Sequence, residues 1–134
     1  MHFAAALPVL LVLDVMVRLF GVRRTRELLQ HLIPLRSTPW GHETTTLSDA
    51  GAVALALDRA GARVCRWRGH CLRRSLALWA WLRLHGVDAE VQLGVRRDGH
   101  ALLGHAWVSC GGHVIAEPAA TSADHVAFGG LHGQ

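Results

Sequence analysis

Lysine and tyrosine are absent from this chain of 134 residues; all 14 basic side chains are arginine, set against 10 acidic ones. The formal charge of +4 suits an acidic peptide or a membrane surface. It argues against nucleic acid as a partner, because the arginines are scattered in pairs and form no basic stripe with interleaved aromatics. Cysteine is scarce as well. Cys65, Cys71 and Cys110 are odd in number and include no CxxC, which excludes a disulfide framework and predicts a reducing cytoplasm with a free thiol. The 10 histidines show no HxxxH or HxH spacing, so no metal site is expected. No glycine-rich phosphate loop occurs, so nucleotide use is expected to lie elsewhere, and no cofactor is expected.

An uninterrupted membrane span is also lacking. In the opening stretch, MHFAAALPVLLVLDVMVRLF, Asp14 and Arg18 break the apolar run well short of the about 18 residues a span needs. No basic segment precedes it and no small-residue cleavage pattern follows, so it does not read as a signal peptide. The expectation is an apolar helix packed on the domain. The alternative is a helix that makes peripheral contact with a membrane or a partner, since Arg18, Arg23, Arg24 and Arg26 follow at once.

What is present describes a globular protein, with 51% hydrophobic and 18% charged residues and enough length for one core. The expected division is a helical segment and linker over 1–46, then a core over 47–134, the whole forming one compact unit. Gly21 punctuates the first helix. A second is expected after it, with Thr25, Leu28, Leu29 and Leu32 on one face and Pro34 at its end. Arg36 to Thr46 reads as a loop. Leu47 and Ser48 then read as staple and N-cap of a helix through Ala60 whose apolar side carries Ala50, Val53, Ala54 and Leu57, with Gly61 as its stop.

The most apolar stretch of the second half is Cys71 to Leu84, CLRRSLALWAWLRL. At about 100° per residue, Leu72, Ser75, Leu76, Trp79 and Leu82 share a face. This is a central helix, with Gly86 as its C-cap. Beyond it the period changes to two. Ala89, Val91, Leu93 and Val95 alternate with Glu90, Gln92 and Gly94. Asp98-Gly99 marks a tight hairpin, a second strand runs from Ala101 to Ser109, Gly111-Gly112 is the next turn, and His113 to Glu117 is a third strand ending at Pro118. Ala119 to Gln134 shows no clear element. The fold class expected is α+β: a central helix carrying Cys71, packed on a small antiparallel sheet and preceded by N-terminal helices.

That arrangement has chemical consequences. Free N–H groups at a helix start favour a thiolate, so Cys71 reads as a nucleophile; the plainer reading is a buried structural thiol. His105 lies on the middle strand and Glu117 closes the next, beside His105 to within one register step. A thiol, a base and an acid that orients the base form a Cys-His-acid site. Asp124 is the alternative acid. His70 neighbours Cys71, but adjacent residues at a helix start point apart. Cys65 and Cys110 read as bystanders. Trp79 belongs to the core, whereas Trp67 and Trp107 are candidates for substrate contact.

From about Ala62 to Pro118 the chain resembles the transglutaminase-like leader peptidases of lasso peptide biosynthesis, the B2 type. The residues that carry the likeness are Cys71-Leu72, Ser75-Leu76-Ala77-Leu78-Trp79, Gly86, Gly94-Val95-Arg96 and His105-Ala106-Trp107-Val108. The resemblance implies a papain-like core and a cysteine protease that removes the leader from a ribosomally made precursor peptide. It further implies two partners, a leader-binding recognition-element protein (B1 type) and an ATP-using lasso cyclase. One departure is evident: the family has Asp at the third position and this chain has Glu117, which is one methylene longer and is expected to accept from His105 Nδ1–H. The alternatives are a non-catalytic scaffold that binds precursor or cyclase, and an acyltransferase using the same thiol.

Overall fold

The computed structural model describes residues 3–33, 43–64, 70–117 and 124–130. Three helices come first, α1 (Phe3–Leu32), α2 (Glu43–Val64) and α3 (His70–Leu84). Four strands follow, β1 (Glu90–Asp98), β2 (Ala101–Cys110), β3 (His113–Ile115) and β4 (Val126–Gly130). The sheet is antiparallel in the order β3-β2-β1-β4, so the chain is α+β as the periodicities predict.

The central helix is central in fact. From Arg73 to Trp79 every side chain of α3 is buried, with α1 and α2 on one side and β1 and β2 on the other. Leu76, Leu78 and Leu82 are fully enclosed, as are Leu57 of α2 and Val91 and Val108 of the sheet. Two side-chain hydrogen bonds lock α3 to the strands. Ser75 Oγ donates to Ala106 O at 3.0 Å and Trp79 Nε1 donates to Ala89 O at 3.0 Å. The helix ends as expected at Gly86, whose φ of 80° lets Val87 N–H reach Leu82 O and Gly86 N–H reach Arg83 O, a Schellman cap.

Gly21 also behaves as expected: it is non-helical (φ 78°, ψ 168°) and kinks α1. Ahead of the kink, Ala6, Leu10, Leu13 and Asp14 face inward. Beyond it the predicted face turns inward only in part. Thr25 is buried and Leu29 packs against the core, whereas Leu28 and Leu32 are exposed; Arg26 is buried as well, its guanidinium 5.5 Å from the Trp79 ring centroid. Burial, and then the nearby Arg83, push the Arg26 pKa down.

Three expectations are corrected. By length and composition alone Ala5–Leu32 is long and apolar enough for a membrane span with Asp14 and Arg18 included, although its Ala6, Leu10 and Leu13 are packed in the core. Second, α2 starts at Glu43 and runs through Ser48 and Gly61, so residues 43–46 are helix instead of loop, Ser48 is no N-cap and Gly61 is no stop. Gly61 is there for clearance: a Cβ on it would lie 1.9 Å from His70 Cε1. Third, residues 126–130 form β4 on the free side of β1, where no element was expected.

The hairpins follow their glycines. Asp98 pairs with Ala101 around Gly99-His100, with positive φ at Gly99 alone, the pattern of a type II′ turn. Cys110 pairs with His113 around Gly111-Gly112, both with positive φ, as type I′ requires.

Candidate active site

Cys71 sits in the first turn of α3 and is a free, half-buried thiol. Its side chain opens into a cleft of about 730 Å³ that His105 of β2 also lines, together with Leu72, Leu93, Gly94 and residues 101–104. Helix start and strand are held at this spacing by the Ser75–Ala106 bond, one residue from His105.

His105 is fixed from the far side. Its Nε2 lies 2.8 Å from Glu117 Oε2. An ionised carboxylate only accepts, so Nε2 carries the proton and donates it. The expectation that Glu117 would bind Nδ1–H is therefore corrected: the acid holds Nε2, and Nδ1 is the nitrogen left for another partner. The expected register step also appears. Extending the β2–β3 ladder would set Glu117 opposite Ala106. Instead β3 ends at Ile115, and Ala116 takes a left-handed φ of 60°, a conformation uncommon for a residue with a Cβ. This turns the chain out of the ladder and brings the carboxylate to the imidazole. The carboxylate on His105 is thus Glu117; Asp124 lies exposed ahead of β4.

Arg74 was not foreseen as part of the site. It reads as one arginine among many, yet its side chain is 11% exposed and makes three contacts. Nη2 donates to Ala116 O at 3.0 Å, Nη1 lies 3.5 Å from Glu117 Oε1, and Nε lies 2.7 Å from Asp58 Oδ1 on α2. One guanidinium thereby holds both the carbonyl of the left-handed residue and the carboxylate that follows it. The signal available in the sequence was position: Arg74 is three residues after Cys71, on the same side of the helix.

The remaining candidates fall as follows. His70 does not face the cleft; its ring lies against Gly61, with Nε2 3.6 Å from Asp58. Trp107 is only 6% exposed and stacks behind His105 at 5.8 Å between centroids, so it buttresses the imidazole and offers little surface to a substrate, contrary to expectation. His125, which carried no signal in the sequence, lies 5.1 Å from the His105 ring. Gly94 makes room for this group, since a Cβ on it would lie 2.8 Å from the Trp107 ring and 3.1 Å from His125 Cβ. Cys110 keeps a thiol, whose Sγ donates to Asp88 O at 3.5 Å. Trp67 and Cys65 lie outside the described residues. Among the described residues no group of three or more His, Cys, Asp or Glu is arranged to hold a metal ion.

Residues 10–128 match the transglutaminase-like superfamily. The chain belongs to that superfamily. The match takes in most of α1, all of α2 and α3, and runs into β4, so it covers both sides of the cleft. The transglutaminase-like superfamily includes cysteine proteases and typically carries Cys-His-Asp protease or transferase activity. Comparison with curated proteins and with solved structures returns no match. The superfamily typically sets Asp beside Cys and His; in this chain the carboxylate that meets His105 is Glu117.

Proposed function

We propose that this protein is a cysteine peptidase that removes the leader from a lasso peptide precursor, a ribosomally made peptide modified after translation. The observation that carries the reading is a half-buried thiol at a helix start sharing one cleft with an imidazole whose other nitrogen is held by a buried carboxylate. Superfamily membership and the lasso-type motifs around Cys71 and His105 support it.

Each residue then has a role. Glu117, accepting from Nε2–H, fixes the imidazole tautomer and balances the imidazolium. Nδ1 of His105 takes the proton from Cys71 Sγ, and the thiolate attacks the carbonyl of the last leader residue. Backbone N–H of Cys71 is one donor to the oxyanion. As the tetrahedral adduct collapses, the C–N bond breaks and Nδ1–H protonates the departing amine of the core peptide. Water, deprotonated by Nδ1, then splits the thioester, releasing the leader carboxylate and returning the thiol.

The setting we propose is cytoplasmic, with the precursor, a leader-binding recognition-element protein and a lasso cyclase as partners. The freed amine is the nucleophile a ring-forming cyclase needs. Peripheral contact with a membrane through α1 is part of the proposal: Val15, Leu19 and Phe20 are exposed, and Arg23 and Arg24 stand beside them in solvent.

The deciding experiment mixes the protein with precursor and leader-binding protein and follows peptide masses. Cleavage by the wild type and none by Cys71→Ala or His105→Ala is the expected result. Intact precursor after confirmed binding to the wild type would sink the proposal.

A further inference from the structure

Strand β2 is covered unequally. At Val108 and Ser109 it pairs with both β1 and β3, whereas from Ala101 to Trp107 it pairs, among the described residues, with β1 alone. The left-handed turn at Ala116 leads β3 away where the uncovered part begins. Residues 101–104 are exposed, with Leu102 69% accessible, and a Cβ built on Gly104 meets nothing within 4 Å. This edge lines the same cleft as Cys71 and His105.

The turns tell which backbone groups point outward. In a two-residue hairpin the flanking pair exchanges both of its hydrogen bonds, and bonded pairs alternate from there. Counting from Asp98–Ala101 sends the bonds of residues 101, 103 and 105 towards β1. Counting back from Cys110–His113 sends those of 108, 106, 104 and 102 the other way, so the two turns agree. Ala106 O is taken by Ser75 Oγ. The N–H and C=O of Leu102 and Gly104 turn away from β1 and have no strand partner among the described residues, on the edge that lines the cleft.

Natural proteins guard such edges with charge, proline or a bulge, because a bare edge is a template for another strand. Here the exposed edge reads Ala-Leu-Leu-Gly and carries none of these, in a chain rich in arginine. We infer that the edge of β2 at Leu102 and Gly104 is a substrate track, on which an extended peptide adds as a strand and is led by its main chain to Cys71. This rests on the peptidase reading, because continuity with the thiol is what selects a peptide substrate over a second copy of the chain. Main-chain pairing gives affinity with little side-chain selectivity, so the choice of bond falls to the groups beside Cys71.

Two measurements separate the track from the chemistry. Amide exchange at Leu102 and Gly104 is followed by NMR with acetyl-pentaalanine amide added at millimolar concentration. Exchange slowed about fivefold or more at both amides, with Leu103 unchanged, is expected. No change at either amide, or slowing that follows protein concentration instead of peptide, overturns the track. Cys71 is then alkylated by acetyl-alanyl chloromethyl ketones of one to five residues, with iodoacetamide as reference. The peptidyl-to-iodoacetamide ratio is expected to rise with length, and a backbone N-methyl is expected to cost about fivefold at alternate residues only. In Gly104→Pro, which deletes an N–H turned away from β1, the dependence on length is expected to vanish; rates indifferent to length in the wild type overturn the proposal. Iodoacetamide labelling that His105→Ala leaves unchanged would count against the Cys-His pair, while the exchange data still judge the track.

Discussion

At the scale of single residues, the imidazole of His105 is held by several neighbours. Glu117 binds one nitrogen at 2.8 Å, Trp107 stacks behind the ring and Arg74 fixes the acid. Glu117 is fitted here in a way that an aspartate would not be. Glu117→Asp withdraws the carboxylate by about 1.5 Å, beyond bonding distance of Nε2, and kcat/KM for precursor cleavage is expected to fall at least tenfold with KM little changed. Arg74→Leu removes the cation between two carboxylates and leaves the Glu117 side chain, 8% exposed, without its counter-charge. The expected cost is about 3–5 kcal/mol in a denaturant melt. The types of residue at this site were legible in the sequence: a cysteine opening an apolar helix, a histidine on one strand and an acid on the next. Which imidazole nitrogen meets the acid was not, because that depends on how the His105 ring and Glu117 are placed against each other in space.

At the scale of elements, α2 and α3 meet where glycine allows it. The ring of His70, the first residue of α3, occupies the space that a Cβ on Gly61 would need, one residue before Cys71. Gly61→Ala is expected to destabilise the protein by about 1–3 kcal/mol through overpacking and to slow alkylation of Cys71. Adding His70→Ala to it should restore much of both, so a double-mutant cycle over thermal melts and alkylation rates tests the contact. A simple sum of the two single effects would refute it. The glycine turns of the sheet were readable because only a few turn types join adjacent strands and each demands positive φ at known positions. Strand β4 was not readable. Its residues, Val-Ala-Phe-Gly-Gly, carry no alternation, and it is a strand because β1 offers it a vacant edge.

At the scale of the whole molecule, the N-terminal helix is tied to the core by charge as well as by apolar contact. Asp14 is 5% exposed and pairs with both Arg18 and the buried Arg73 of α3. Arg83 further along α3 donates to Ile33 O just past the end of α1. Asp14→Leu takes the Asp14 carboxylate from the buried Arg73 guanidinium and is expected to cost about 3–5 kcal/mol, whereas Asp14→Leu with Arg73→Met removes both charges and should recover most of that loss. Thermal melts of the two variants check this. A single variant as stable as the wild type would show that α1 is held by apolar packing alone.

Local chemistry sufficed for what is local here. A period near 3.6 changing to a period of two, the cap at Gly86, two hairpins and the Cys-His-acid types are visible because side-chain spacing and backbone torsion are properties of short segments. The tertiary structure alone decided the rest, because each feature depends on a neighbour remote in sequence. Arg74 gains its part in the site from Asp58 and Glu117, Gly61 its necessity from His70, β4 its existence from β1, and the open edge of β2 its place beside Cys71 from the packing of α3 on the sheet.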